Sequence, residues 1–408
     1  MICRHCSFKL IHTFVDLNSS PPSNSYLTKK TINESEKWYP LKVLVCDKCW
    51  LVQTEDFVGV SEMFSEDYAY FSSFSSTWLK HAEDYVEKVT SRFNINSESM
   101  VVEVAANDGY LLQYVKNKNI PCYGIEPTNS TAVVARKKGI EIIEEFFSEA
   151  KAHELMNNGQ QADLIISNNV LAHVPNINDF VKGVSTLLKP NGIATFEFPH
   201  LLNLIELNQF DTIYHEHYSY LSLTSIESIF ESNGLSIFDV EELPTHGGSL
   251  RIYAQRSDLG MNINSETVKI LKNKEDSLGM SDINFYKGFQ YRVENVKIEF
   301  LSFLLKAKQE KKKIAGYGAA AKGNTMMNFL GIRQDLISYI VDKNPAKQGK
   351  FMPGSRIPIV DISHILLTKP DYVIIFPWNL KDEVMQQLEF IKEWGGKFVI
   401  SIPELKII

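Results

Sequence analysis

VVEVAANDGYLL, Val101 to Leu112, is a run of β-branched apolar residues that breaks at a polar turn and resumes as an apolar segment. The pattern predicts a strand, a tight turn and a helix start, with Gly109 letting backbone come close to a ligand. Working outward, CYGIE (122–126), ADLIISNN (162–169) and GIATFEF (192–198) read as further strands separated by helical stretches. STWLKHAEDYVEKVTSRF (76–93) has helical spacing, and SLRIYAQ (249–255) reads as a late antiparallel strand. Strands alternating with helices mean a parallel sheet covered on both faces.

The turn also limits what can bind there. A dinucleotide fingerprint needs G-x-G-x-x-G, whose glycines admit a pyrophosphate. Here the turn is A-A-N-D-G, narrower and acidic, with Glu103 just before it. Acid repels pyrophosphate but suits a ligand with a positive sulfonium and no phosphate, which favours S-adenosylmethionine over NAD. Glu126, at the end of the next strand, is placed to accept from both ribose hydroxyls. Asn168 and Asn169 end a later strand at the edge where ligands of open sheets sit. The expected cofactor set is Glu103, Ala105, Asn107, Asp108, Gly109, Glu126, Asn168 and Asn169.

At 408 residues the chain exceeds one ordinary core, so two or three domains are expected. A formal charge of −7 argues against nucleic acid as partner, since phosphate binding rests on clustered positive charge. No run approaches the roughly 18 apolar residues of a membrane helix, and MICRHCSFKL has no signal-peptide core. A soluble, cytoplasmic protein is expected.

The first seventy residues are irregular and too thin in core to fold unaided, but they hold two C-x-x-C knuckles, Cys3/Cys6 and Cys46/Cys49. Four thiolates suit one tetrahedral Zn²⁺ in a closed, structural site. His5, inside the first knuckle, is expected to face solvent, and Cys122 to act as a small hydrophobe.

A long helical stretch near 283–312 links to a restart of the strand–helix pattern: KIAGYG, LISYIVD, DYVIIF and KFVISI. The lysines from Lys306 to Lys313 read as a solvated helix end. GYGAAAKG (316–323) offers a glycine turn and a helix start with Lys322, together an anion site. As an NAD signal it is weak, because the third glycine is absent. Asp342 ends the following strand, and FPWN (376–379) could line the same crevice. Three domains are expected: 1–75, zinc-binding; 76–285, cofactor-binding; 286–408, a second, smaller α/β unit.

YHEH, Tyr214 to His217, has three readings. In an extended segment His215 and His217 share a face, as in H-x-H metal sites. In a turn, Tyr214 and His217 are neighbours, the geometry of a base and a donor. The third reading is a polar loop whose aromatic residues, Tyr218 and Tyr220 among them, cover the sheet.

Taken in order, the motifs EVAANDG, YHEH, HGGSLR and GYGAAAKG, preceded by the paired C-x-x-C knuckles, resemble the nucleotide-sugar C-methyltransferases along the whole chain. The resemblance implies a zinc domain, a Rossmann-like class I S-adenosylmethionine methyltransferase domain and a Rossmann-like C-terminal domain. It also implies methylation of a ring carbon, typically C-3, of a dTDP- or GDP-linked 4-keto-deoxysugar. His217 is then the base, with Tyr214 and Glu216 beside it and His173 a second active-site histidine. Tyr70 is a further candidate, with Tyr68 and Phe71 as competitors for that position. Tyr214 or His173 is expected to donate to the enolate oxygen and Glu216 to orient an imidazole. His246 is expected to line the cavity, and Gly316, Gly318, Lys322 and Asp342 to meet the nucleoside diphosphate. Ala105 departs from the glycine common at that point of the turn; its methyl is tolerated if φ is negative. Two rival readings are an NAD-dependent sugar oxidoreductase and a non-catalytic zinc scaffold with an inactive methyltransferase fold.

Overall fold

The computed structural model describes residues 1–57 and 71–408. Strands β1 (His12–Ser20), β2 (Tyr39–Val45) and β3 (Val52–Thr54) form an antiparallel N-terminal sheet. The next strands, β4 (Val101–Val104), β5 (Cys122–Ile125), β6 (Glu141–Ile143), β7 (Ala162–Asn168) and β8 (Leu188–Pro199), are parallel. β9 (Ser219–Tyr220) returns to pair with β3, so the strand after YHEH completes the N-terminal sheet.

β10 (Leu235–Leu243) and β11 (Ser249–Arg256) finish the central sheet, in the order β10-β11-β8-β7-β4-β5-β6. β11 is antiparallel to both neighbours, as its late position in the sequence suggests. All four residues of β4 are buried, which explains why its apolar run is continuous rather than alternating. Glu103 is the exception in kind, an acid inside the sheet.

The third sheet comprises β12 (Ile314–Tyr317), β13 (Ile340–Val341), β14 (Ile359–Val360), β15 (Tyr372–Ile375), β16 (Lys397–Ile400) and β17 (Lys406–Ile407). Its order is β14-β13-β12-β15-β16-β17, parallel except for β17.

The N-terminal region is not a separate body. Phe14, Val15, Leu41 and Val43 share one apolar core with Phe289, Val293 and Phe300 of the helix Phe289–Gln309 and with Met326, Ile340 and Ile374 of the C-terminal unit. Phe14 stacks on Phe289 at 4.5 Å. The cysteine knuckles instead join the core of the central sheet, beside Val102, Phe196 and Ile226. Residues 21–38 run as a strap onto the C-terminal unit: Leu27 bridges Phe351, and Glu36 accepts from Gly354 N–H at 2.6 Å and Arg356 Nε at 3.0 Å. A thin N-terminal core is thus completed by both larger units.

In an open α/β sheet, ligands sit where the strand order reverses, beyond the carboxyl ends of the strands. The reversal lies between β4 and β7 in the central sheet and between β12 and β15 in the third. Segments that follow β8 and β10 meet those that follow β12 and β15. The short helix Thr245–Gly247 packs against Trp378–Leu380, and Phe210–Thr212 packs against the helix Ala321–Leu330.

Candidate active site

The turn after β4 carries three left-handed residues, Ala105 (φ 58°), Asn107 (φ 49°) and Gly109 (φ 72°). The sequence expectation for Ala105 required a negative φ, and the structure corrects it. A methyl sits where glycine is favoured, at a cost of about 1 kcal/mol. Asn107 suits the left-handed region better than other non-glycine residues. Gly109 is needed twice over, since a Cβ there would lie 2.4 Å from Ile140.

Glu126 fastens this turn. Its carboxylate accepts from the backbone N–H of Asn107 and of Thr128, each at 2.9 Å. Asn107 Oδ1 accepts from Ser72 N–H at 3.0 Å, and Asp108 accepts from the Ser73 hydroxyl, so residues 72–73 lie over the turn. Burial pushes the Glu103 carboxyl well above the usual carboxylate range, and Asp108 and Glu126 push the same way. Burial also raises Glu126, against its backbone donors. The nearest opposite charge to Asp108 is Lys138 Nζ at 3.7 Å. Three buried acids gathered at one turn form a place that suits a cationic ligand. Among the described residues the buried Asn168 Oδ1, across the strand-order reversal, has no hydrogen-bond partner and offers a further acceptor. The residue set fits S-adenosylmethionine.

Residues 214–217 form a turn closed by His217 N–H to Tyr214 C=O at 2.9 Å. This brings Tyr214 and His217 together, with ring centroids 4.0 Å apart, the neighbour geometry of the turn reading. His215 turns the other way, its Nε2 facing the carbonyls of Tyr39 and Pro40 at 3.3 and 3.2 Å. The H-x-H metal reading is thereby overturned. Among the described residues the only metal-type cluster is the four cysteines.

His173 sits edge-on to His217 at 4.6 Å, on the short helix Leu171–His173 that follows β7. His217 Nδ1 lies 2.8 Å from the Thr212 carbonyl. Burial holds the His217 pKa well below its ordinary value and brings His173 down to about 4. Glu216 does not orient an imidazole through its carboxylate. That group meets Asn24 Nδ2 of the strap at 2.7 Å, while the Glu216 main chain faces His173. Burial raises its pKa to about 7. Tyr218 and Tyr220 are buried packing residues, as expected. Tyr70 and its competitor Tyr68 lie outside the described residues.

His246 adopts φ 55°, and its Nε2 accepts from Asn169 Nδ2 at 3.3 Å, which joins it to the end of β7. Trp78 packs on His246 at 5.0 Å. Beneath them is a network that sequence reasoning missed. Glu197 on β8 is wholly buried and binds His81 Nε2 at 2.9 Å, Arg251 at 2.6 Å and Thr245 Oγ1 at 2.9 Å. These partners pull its pKa down to about 2 against burial. HGGSLR was the available signal: its arginine is Arg251, and its counter-ion lies on the neighbouring strand.

In the C-terminal turn, a Cβ on Gly316 would lie 2.8 Å from Phe376, and one on Gly318, 2.6 Å from Pro377. Both glycines are thus explained by packing. Asp342 gives its carboxylate to Ala319 N–H at 2.8 Å, so the turn's own amide is already bonded. Lys322 Nζ donates to Asn379 Oδ1 at 2.7 Å and lies 4.2 Å from the Trp378 ring.

The cysteine knuckles are twins. Ser7 and Trp50, each just after a second cysteine, have φ 59°, and each donates its N–H to the first cysteine's carbonyl, at 3.0 and 2.9 Å. All four sulfurs lie within 4.8 Å of one another, with Cys3–Cys49 and Cys6–Cys46 at 3.5 Å. A zinc–thiolate tetrahedron with bonds of about 2.3 Å has edges of about 3.8 Å, so the cluster fits Zn²⁺. His5 does not face solvent: its Nδ1 meets Asn178 Oδ1 at 2.8 Å and its Nε2 meets Ser228 Oγ at 3.2 Å, pinning the knuckle to the central unit.

Numbered within its own unit, the central sheet runs 3-2-1-4-5-7-6 with strand 7 antiparallel, and the acidic turn follows strand 1. This is the class I S-adenosylmethionine-dependent methyltransferase fold. Family descriptions match three consecutive blocks: a zinc binding domain at 3–64, a methyltransferase domain at 78–240 and a C-methyltransferase C-terminal domain at 244–403. C-methyltransferase NovU of Streptomyces niveus is 31% identical over 406 residues, 100% of this chain and 96% of that protein. The chain belongs to this C-methyltransferase family. A ubiquinone biosynthesis O-methyltransferase of Rickettsia prowazekii (strain Madrid E) is 28% identical over 116 residues, 28% of this chain and 44% of its own. Magnesium protoporphyrin IX methyltransferase (ChlM) from Synechocystis PCC 6803, solved with bound SAM, aligns over 44% of this chain and 79% of its own, with 16% identity and a TM-score of 0.34. No described helix is long and apolar enough to cross a membrane.

Proposed function

We propose that the protein methylates a ring carbon, C-3, of a dTDP- or GDP-linked 4-keto-deoxysugar, using S-adenosylmethionine. The observation that carries the reading is the His217 imidazole, fixed by Thr212 and flanked by Tyr214 and His173. It lies in the segment between β8 and β9, whose Phe210–Thr212 turn packs against the helix Ala321–Leu330.

A C–H bond next to a ketone can be broken because the carbonyl spreads the resulting charge as an enolate. In this account His217 Nε2 takes that proton. Tyr214, 4.0 Å from the ring, is the candidate donor to the enolate oxygen, with His173 on the ring's edge. Glu126, Asn107 and Asp108 would hold the adenosyl donor, with Glu103 and Asn168 behind them. When bound, that donor supplies an already activated methyl group. The protein's own task is therefore to expose the carbon nucleophile and align it. The four cysteines would hold Zn²⁺ as a structural ion, away from the reaction.

The test is incubation with a panel of dTDP- and GDP-linked 4-keto sugars and S-adenosylmethionine, read by mass spectrometry and carbon NMR. One added methyl on carbon supports the reading; a methyl on oxygen contradicts it.

A further inference from the structure

The C-terminal unit places one cation against the methyltransferase loops. Lys322 and Thr325 are neighbours on one face of the helix Ala321–Leu330. The Thr325 hydroxyl donates at 2.8 Å to the carbonyl of Ile213, the residue before Tyr214. The face bearing Lys322 is thus fastened to the YHEH turn.

The ammonium is held by neighbours that leave its charge largely uncancelled. Asn379 Oδ1 accepts at 2.7 Å, and the Trp378 ring lies 4.2 Å away. Trp378 Nε1 in turn donates to Asp211 Oδ2 at 2.8 Å. Trp378 also packs against Gly247, where a Cβ would lie 2.3 Å from its ring, so it stands beside His246. Among the described residues no carboxylate oxygen lies within 4.0 Å of Lys322 Nζ. The charged and titratable groups facing it are Asp211, His217 and His246. In the glycine turn behind it, the Ala319 N–H is already taken by the Asp342 carboxylate. An anion that pairs with this lysine has to come from the side of the histidines.

We propose that Lys322 is a catalytic residue of the methyltransferase site, its ammonium stabilising the enolate oxygen formed when His217 removes the proton. The proposal rests on the reading of function given above. The C–H bond breaks and its electron pair forms the carbon–carbon double bond. The carbonyl π pair moves onto oxygen, the proton goes to His217 Nε2, and the new negative charge lies against Lys322. No further reactant is required. The site is desolvated, so a fixed positive charge acts more strongly here than in water. Burial also brings the Lys322 pKa down to about 8, with Asp211 opposing the fall.

The test is exchange of the sugar's carbon-bound proton in D₂O with S-adenosylhomocysteine present, so that no methyl is transferred. The probe is whichever dTDP- or GDP-linked 4-keto-6-deoxyhexose the wild type turns over. Lys322→Met should slow exchange and kcat by about 10²–10³-fold with KM and S-adenosylhomocysteine affinity little changed. Lys322→Arg should recover most of the rate. Wild-type activity should fall as pH rises through about 8, and the arginine variant should move that limb upward, which a purely structural role would not do. Exchange in Lys322→Met at the wild-type rate overturns the proposal, as does a rise in KM with kcat unchanged, the mark of a phosphate contact. Absence of exchange in the wild type strikes the reading of function itself and is thereby distinguishable.

Discussion

His217 Nδ1 lies 2.8 Å from the carbonyl oxygen of Thr212. A carbonyl only accepts, so Nδ1 carries the hydrogen and Nε2 keeps its lone pair for a substrate. The Thr212 contact therefore sets the tautomer a base requires, and it comes from the main chain, where side-chain substitution cannot remove it.

His217→Asn should lower kcat by about 10²–10⁴-fold while calorimetry shows unchanged S-adenosylmethionine binding. Burial holds the His217 pKa well below its ordinary value, so the imidazole stays neutral to lower pH than a free histidine. The acid limb of kcat should consequently fall below pH 6.5, the unperturbed histidine value. An acid limb centred at or above that value would contradict the buried environment.

Glu216 gives a stability prediction with a definite sign. Its folded pKa is raised to about 7, so the native state keeps a proton that the unfolded chain loses near pH 4–5. Stability from this group is present at low pH and lost as pH rises through about 7. Glu216→Gln should match wild type near pH 4 and gain on it up to pH 8, by about 3 kcal/mol at most. Thermal melts of both proteins across that range check this.

Zinc removal should affect catalysis at a distance. The knuckles are pinned through His5 to the central unit, and β3 pairs with β9 just after YHEH. Metal analysis should find one Zn²⁺ per chain. Cys46→Ser or strong chelation should lower both the melting temperature and kcat. Undiminished activity in a zinc-free, folded protein would show that the N-terminal sheet does not support the YHEH turn.

At the donor turn, Glu126→Ala should weaken S-adenosylmethionine binding by about 10–100-fold, the loss of a charge-assisted contact and of the clamp on Asn107. Ala105→Gly relieves a methyl at φ 58° and should stabilise the protein by up to about 1 kcal/mol. Denaturant titrations and calorimetry separate the two effects.

Local pattern carried much of this architecture. The β4 turn, the antiparallel β11 and the cysteine pairs were legible because strand periodicity and ligand spacing are properties of neighbouring residues. Ala105 was read as a departure from glycine, but its left-handed backbone angle, next to a turn that Glu126 clamps from another strand, has no local signal. His5 looked exposed because its partners, Asn178 and Ser228, are remote in sequence. The strap that brings Asn24 to Glu216 has no periodic signal at all. The same holds for the core shared by Phe14 and Phe289. Gly316 and Gly318 resemble a phosphate turn, yet contact with Phe376 and Pro377 accounts for them.

The most direct measurement is carbon NMR of the product made from a 4-keto nucleotide sugar and S-adenosylmethionine carrying a ¹³C-methyl group, with wild type and His217→Asn side by side. The account predicts a labelled methyl on the ring carbon beside the ketone with wild type, and essentially no product with the variant. Label on oxygen, or near-normal product from His217→Asn, would contradict it.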